Sequence, residues 1–499
     1  MGKKIKIIGA GIAGLSAGCY LQMNGYDTEI YELYDVPGGL CSSWNRKGYT
    51  IEGCIHWLVS SSPTDNFYYL WSELIDMKSI KFVDYEEYMR VEGKDGAVIR
   101  VFTDINKLEK EFLEKAPEDR ELILEFTNIV RKFLKLKRPI EKAYETYNLI
   151  DTFKVIFKFA PYFKDFRKWS RISIQEYADR CKNILLKKTF ELMFVPEMTI
   201  LFLIMTLAWM HKKSAGYPIG GSLEFARLIE KRYLELGGKI NYNSKVEKII
   251  VENNSAKGIM LENGEKYEAD IVISAADGYY TIFKMLDGKY IDKKIIDLYD
   301  NYETFPSYVQ VSLGIARTFE DVPHLICFPL EKSLIIDEDS KFDYIGFRIF
   351  NFDPTLAPQR RTLITSMFLT SNYKYWCELR EKNREKYKAE KERIAREVIE
   401  ILENKYGNIK SNIEMVDVST PATVIRYTNN WKGSFEGWLL TPKMGMKKIK
   451  KVLPGLKNFY MVGQWVEPGG GLPSSLLSGR NVAQIICKRD KKKFITIKK

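Results

Sequence analysis

Gly9-Ala10-Gly11-Ile12-Ala13-Gly14 constrains this chain more than any other segment. The preceding Lys4-Ile5-Lys6-Ile7-Ile8 reads as a short strand, and residues 12–24 read as a helix that Gly25 is placed to end. A strand, a G-x-G-x-x-G turn and a helix, in that order, open a βαβ dinucleotide-binding unit. Gly9 permits the tight turn, Gly11 lets backbone N–H groups approach a pyrophosphate, and Gly14 lets helix and strand pack closely. The first N–H groups of the helix, including those of Ile12 and Ala13, present about half a positive charge to the phosphates. Thr28 to Glu32 alternates like a second strand. Glu32, 18 residues after Gly14, ends it where a carboxylate binds a ribose hydroxyl.

The same N-terminus resembles a signal peptide, because Lys3, Lys4 and Lys6 precede an apolar, small-residue run. The glycine spacing favours mature structure instead, and Lys6 stands where a myristoylation motif wants Ser or Thr. The other long apolar run, Met198 to Met210, has 13 residues, too few to span a bilayer that needs about 20. An integral membrane protein is therefore not expected. Seven cysteines, an odd number with no CxxC pair, favour a reducing cytosol over a disulfide framework. The three histidines, His56, His211 and His324, lack metal-ligand spacing, so no protein-bound metal is expected.

With 499 residues, more than one core is needed. Residues 88–103 read as a hairpin turning at Gly93-Lys94-Asp95-Gly96, and 104 to about 215 as lysine-rich, aromatic helices. Gly220-Gly221 opens a helix to about Leu236, short strands follow to Asp270–Ala276, and further strands recur over 305–370. Residues 378–406 read as one charged helix, and Phe459–Val462 as a strand leading through glycines to a helix over 473–487. With no internal repeat or long linker, the units interleave. The dinucleotide domain draws on 1–95, 215–290 and 431–499, a helical region on 96–214, and a substrate domain on 291–430.

NAD and FAD share the glycine fingerprint, and the following residues separate them. Val36-Pro37-Gly38-Gly39 follows the acid almost at once. Together with Gly39-Leu40-Cys41-Ser42, Gly53-Cys54-Ile55-His56-Trp57, Tyr217-Pro218-Ile219-Gly220-Gly221 and the C-terminal glycine block, it resembles the amine oxidase superfamily of flavoproteins. Within it, the resemblance is to the branch of phytoene desaturases, carotenoid isomerases and retinol saturases. It covers roughly 1–60, 215–280 and 455–490 well, and 100–210 and 290–430 in pattern only. It implies an α/β protein: a Rossmann-like FAD-binding domain with an interleaved α+β substrate domain. It also implies FAD contacts from Leu33, Gly38, Gly39, Leu40, Ile55, His56, Trp57, Val246, Ala275, Gly463 and Gln464. Gly470, Gly471 and Leu472 open a helix with few side chains over its N–H groups, suited to negative charge on a reduced flavin ring. Two positions depart from the pattern. Leu40 replaces an Arg that contacts phosphate in many relatives, and Gln464 replaces an Asp or Glu.

The resemblance implies a FAD-dependent oxidoreductase acting on carbon–carbon bonds of a long apolar isoprenoid or polyene. Desaturation, saturation and flavin-assisted isomerisation all remain open. His56 is the candidate catalytic group, as a proton partner or else as a backbone contact with a merely hydrogen-bonded ring; Trp57 reads as a packing wall. His211 and His324 read as structural. Phe190–Phe194 and Met198–Met210 either line a substrate tunnel or form a core helix. Phe153–Trp169, which interleaves aromatics and cations, and the seven cations of Lys488–Lys499 either contact an anionic membrane or are solvated faces. The +12 net charge accompanies no nucleic-acid module. The expected location is the cytoplasm, with peripheral membrane contact as an option. A flavin amine oxidase would need an aromatic cage, for which Trp465 is the one C-terminal candidate; a lipid carrier resembling GDP dissociation inhibitors would not need the intact fingerprint. No second dinucleotide fingerprint follows, which leaves nicotinamide, quinone, oxygen or a protein open as electron partner.

Overall fold

In the computed structural model, which describes residues 2–445 and 447–496, five parallel strands form the first sheet. Their order is Lys239–Asn241, Asp27–Tyr31, Lys4–Ile8, Ile271–Ser274 and Phe459–Met461. The strand Lys4–Ile8 is central because Ile5, Ile7 and Ile8 are buried; Lys6 is tolerated there because its ammonium reaches Glu29 at 2.6 Å. Helix Ile12–Met23 follows, with eleven of its twelve residues buried. Small residues make this possible. A methyl group at Gly479, on the C-terminal helix Gly471–Arg489, would stand 2.6 Å from the Ala17 nitrogen, so the two helices cross at backbone contact.

The second sheet has seven strands, in the order Ile413–Ser419, Ser307–Ile315, Thr362–Thr370, Ser340–Ile349, Leu325–Asp337, Glu87–Glu92 and Val98–Phe102. All pairs are antiparallel except Leu325–Asp337 with Glu87–Glu92, where Ile326 and Cys327 stand opposite Arg90 and Val91. The expected hairpin therefore forms, and both of its strands belong to this sheet. Residues 87–92, assigned from the sequence to the dinucleotide domain, lie instead beside the strand Leu325–Asp337. Helices between Ile105 and His211 make a separate apolar cluster under the hairpin.

The charged segment is two helices, Tyr373–Lys382 and Arg384–Tyr406, where one over 378–406 was expected. Asn383 breaks it: its backbone leaves helical geometry, and its side chain accepts a hydrogen bond from the Lys386 N–H to cap the second helix. A small three-stranded sheet joins Leu58–Val59, Ala215–Pro218 and Phe82–Val83, and so ties the His56 segment to the Tyr217 segment. Among the described residues, no helix is long and apolar enough to cross a membrane.

Candidate functional site

The glycine turn is built as its spacing demands. Gly9 has φ +97°, and its N–H donates to the Tyr31 carbonyl at 2.8 Å. A methyl at Gly14 would stand 2.0 Å from the Gly9 oxygen and 3.2 Å from the Ala275 side chain. The Gly38 N–H donates to the Ala10 carbonyl at 2.9 Å, and a methyl at Gly39 would lie 3.4 Å from the Gly11 Cα. The second glycine pair therefore lies directly on the first turn, with Leu33 and Leu40 half-buried beside it. Glu32 is buried: its carboxylate accepts from the Ala10 N–H at 2.6 Å and the Tyr34 N–H at 3.0 Å. Burial raises its pKa, and these N–H groups oppose the rise. The Glu32 carbonyl accepts from the Ser244 N–H at 2.7 Å, which brings the strand Val246–Glu252, headed by buried Val246, alongside.

The C-terminal block closes against this turn. The Gly463 N–H donates to Ser478 Oγ at 2.8 Å, and a methyl at Gly463 would lie 3.4 Å from Ala13 Cβ. Ser16 Oγ donates to the Leu476 carbonyl at 2.7 Å. Two helices thus begin side by side, one at Gly11 and the other at Gly470. Neither has a side-chain cap or an acidic residue in its first turn. Gly471 to Ser475, Leu472 among them, keep accessible surface, whereas the helix is mostly buried from Leu476 onward. A helix start leaves its first N–H groups without intrahelical partners, and burial makes that costly unless an anionic group faces them. Among the described residues, no side chain caps either start.

The helix Gly221–Glu235 is the contrast. Its Ser222 N–H donates to buried Glu52 at 2.8 Å, and the Gly220 N–H donates to Asp353 at 3.1 Å, so its start is occupied from within. Glu52 also accepts from the Cys54 and Ile55 N–H groups, at 2.9 and 3.1 Å, and from the Ser222 hydroxyl. Ser222, directly after Tyr-Pro-Ile-Gly-Gly, thereby fixes the backbone of 52–55, a role the sequence reading missed. Two uncapped, adjacent helix starts around glycine backbone, with a buried carboxylate at the neighbouring strand end, fit a dinucleotide carrying both a pyrophosphate and a ring that takes up negative charge.

Ile55 is pinned further by the Ser222 hydroxyl at 2.8 Å, which leaves His56 and Trp57 projecting from a fixed backbone. The His56 carbonyl accepts from the Tyr85 hydroxyl at 3.4 Å. Trp57 stands edge-on to Tyr88 and Phe194, with ring centres 5.7 and 5.8 Å away, and Phe194 meets Phe202 at 5.1 Å. His56 keeps accessible surface, yet burial first, and the charge of Arg348 second, push its pKa well below the usual imidazole value. Its ring is therefore neutral at pH 7. Glu436, absent from the sequence reading, behaves similarly. It keeps surface while burial lifts its carboxyl to about 8, and its Oε1 lies 3.9 Å from where a Gly471 Cβ would stand. An acid isolated in Phe435-Glu436-Gly437 was the one signal available for it.

Other expectations are redistributed. His211 Nδ1 accepts from the Ile105 N–H at 3.2 Å, a structural task. His324 stacks on Tyr85 at 3.6 Å with its Nε2 buried and unpartnered, and so joins the His56 cluster. Helix Ile200–His211 is mostly core, with Leu203, Ile204 and Leu207 buried; Phe202 meets Phe194, which in turn stands against Trp57. A cleft of about 630 Å³ lined by Arg131, Lys132, Tyr162 and His211 lies elsewhere and shares no lining residue with that wall. Gln464 Nε2 donates to Asn430 Oδ1 at 3.3 Å. Trp465 donates to the same oxygen at 3.1 Å and is buried against Trp431 and Trp438, so it fronts no aromatic cage.

Three comparisons bear on this geometry. A prolycopene isomerase from Daucus carota is 26% identical over 95% of this chain and 78% of its own length. A neurosporene-forming phytoene desaturase from Rhodobacter capsulatus is 24% identical over 97% and 94%. The crystal structure of an oxidoreductase from Methanosarcina mazei has the same fold, with TM-score 0.58 at 17% identity, covering 96% of this chain and 99% of that one. The protein is an oxidoreductase whose cofactor is FAD. Residues 12–487 match from the first helix to the last, and the chain belongs to the flavin-containing amine oxidoreductase family.

Proposed function

We propose that the protein acts on the carbon–carbon bonds of a long apolar polyene or isoprenoid, by desaturation, saturation or flavin-assisted isomerisation. The observation that carries this reading is the neutral His56 beside the Trp57, Tyr88, Phe194 and Phe202 rings, next to a cofactor cradle with two open helix starts. When bound, FAD supplies hydride exchange with carbon. Gly9, Gly11, Ile12, Ala13 and Gly14 would hold its pyrophosphate, Glu32 and Leu33 its ribose, and Val246 its adenine side. Gly38, Gly39, Leu40, Ala275, Gly463 and Gln464 would line its length. Ile55, His56 and Trp57 would meet the ring on one side and Gly470, Gly471 and Leu472 on the other. His56 holds its ring against the aromatic wall as the candidate proton partner of the reaction. The aromatic wall excludes water and aligns an extended chain. The carotenoid enzymes among the relatives support this substrate class, and the buried, hydrogen-bonded Trp465 weakens the amine oxidase reading. The test is the visible spectrum of the purified protein, expected to show flavin bands near about 370 and 450 nm, followed by anaerobic assay on polyenes. A colourless protein that refuses FAD, or a flavoprotein that turns over amines and no polyene, would overturn it.

The same reading includes contact with an anionic membrane. Helix Leu149–Trp169 turns Phe159, Tyr162 and Phe166 inward, where the last two meet Phe133, and leaves Phe153, Ile156, Phe157 and Phe163 exposed. Phe157 is 85% exposed, and Lys154, Lys158 and Lys164 stand exposed around the same stripe. An apolar stripe flanked by cations complements an anionic lipid surface. The C-terminal tail has less part in it. Asp490 pairs with Lys3 at 2.7 Å, Phe494 lies on Tyr20 and the Ile495 N–H donates to Asn24, so the tail docks on the protein body as far as 495; residues 497–499 lie outside the described residues.

A further inference from the structure

Arg348 lies near the end of the strand Ser340–Ile349, opposite Leu325 and Thr365, and is only 8% exposed. Among the described residues no carboxylate forms an ion pair with it. The two carboxylates whose charge reaches its neighbour Tyr85 are engaged elsewhere. Asp353 accepts from the Gly220 N–H and from Thr355, and Glu52 accepts from Cys54, Ile55 and Ser222. An unpaired buried guanidinium costs several kcal/mol, and arginine is too basic to escape by losing its proton.

The groups around Arg348 deepen the imbalance. Tyr85 sits between the His56 carbonyl and the guanidinium, and its ring stacks on His324 at 3.6 Å with the planes 9° apart. His324 is nine-tenths buried, and its Nε2 has no partner. Phe352 closes one side, edge-on to Tyr85 at 5.2 Å and to His324 at 6.0 Å. A fixed positive charge thus stands in an aromatic enclosure beside an unused imidazole nitrogen and a phenol. A planar fork of N–H donors in such a place matches a carboxylate, which takes two parallel bonds from it.

We infer that Arg348, with Tyr85 and His324, forms a receptor for a carboxylate at one end of the substrate, so that the molecule taken is an apolar polyene or isoprenoid chain ending in an acid. This rests on the proposed reading that the His56–Trp57 wall contacts substrate, and it narrows that reading from hydrocarbons to acids. The ring of neutral groups around the cation gives the preference its sign: an ester or hydrocarbon end leaves the guanidinium unpaired, and an acid pairs it.

The test is a binding titration of the FAD-loaded protein, read by tryptophan quenching and by the flavin difference spectrum, with retinoate, methyl retinoate and oleate as probes. Retinoate is expected to bind at least about tenfold more tightly than its methyl ester. Oleate separates the two halves of the idea: weaker binding than retinoate assigns the chain specificity to the aromatic wall, and equal binding refutes a polyene-selective site. Arg348→Gln should abolish the acid-over-ester ratio while leaving ester affinity unchanged, and Arg348→Lys should restore part of it. Equal affinity of the wild type for acid and ester refutes the receptor without recourse to any variant, as does a ratio that survives Arg348→Gln. Turnover of hydrocarbon polyenes with no acid preference would leave the proposed function standing and remove this inference alone.

Discussion

Glu436→Gln is the perturbation whose size follows most directly from the structure. Burial alone moves the carboxyl from the ordinary value of 4.5 to about 8, with no cation or N–H group opposing it. The folded state therefore keeps a proton that the unfolded state gives up. This stabilisation is fully present below pH 4.5 and is lost as pH rises through about 8. A shift of this size corresponds to about 5 kcal/mol at most across that window. Asp277 acts in the same sense, raised to about 7 by burial against the N–H groups of Tyr280 and Trp431, and it is untouched by the substitution. Glutamine imitates the protonated acid, so the variant should lose roughly half of the alkaline destabilisation and keep the part due to Asp277. For a chain of 499 residues, 5 kcal/mol corresponds to a Tm shift of about 5 °C. The assay is thermal unfolding of the FAD-loaded protein between pH 5.5 and 9, wild type against Glu436→Gln. The curves should converge towards pH 4.5, separate steadily up to about pH 8 and run parallel above it, with the variant more stable at pH 9. Parallel curves over the whole range would refute the burial of the Glu436 carboxyl.

Four further outcomes can be checked. His56→Ala should keep its flavin bands and lose about 10²- to 10⁴-fold in turnover; normal turnover would remove the proton-transfer role. Gly14→Ala places a methyl 2.0 Å from the Gly9 oxygen, so the purified variant should carry little FAD by absorbance at 450 nm (about the usual flavin maximum), and full occupancy would contradict the turn geometry. Arg480 holds buried Glu73 through two bonds of 2.8 and 3.2 Å, and Arg480→Ala should cost about 3–5 kcal/mol, read as a fall in Tm; a loss under 1 kcal/mol would show that Glu73 finds water. The wild type should sediment with anionic liposomes and be released by salt, whereas Phe153→Ser with Phe157→Ser should stay in solution; a wild type that does not sediment at low salt ends the membrane claim.

Legibility in the sequence followed chemistry that is local along the chain. The turn over 9–14 demands a positive φ at Gly9 and a missing side chain at Gly14, and each demand fixes one residue at one position. Glu32 was readable because a strand end lies a fixed length of helix and strand beyond that turn. The Asn383 break was not, since its capping role depends on which of several polar residues in a charged run stops the helix. Glu52 carried no signal along the chain, because its partners at Ser222 and Gln310 lie 170 and 258 positions away.

Cofactor and substrate regions differ in legibility for a physical reason. Phosphates and a redox ring must be met by backbone N–H groups at close range, a constraint few residue types satisfy, so 1–60, 215–280 and 455–490 declared themselves. An apolar chain asks only for volume and dry surface, which Phe194, Phe202, Tyr88 and Trp57 provide from four separate elements with no common spacing. Many other aromatic arrangements would serve as well, and helix Ile200–His211 could be read as tunnel or core with equal justice until its Leu203, Ile204 and Leu207 were seen buried. What does single out a substrate in such a wall is the exception to its apolarity. Arg348, a buried cation with no carboxylate partner among the described residues, and His324, whose Nε2 is unpartnered, come from the strand Ser340–Ile349 and the turn before Leu325, which the sequence gives no reason to place beside His56; that unpaired charge and that free nitrogen, more than the aromatic lining, carry information about the molecule that enters.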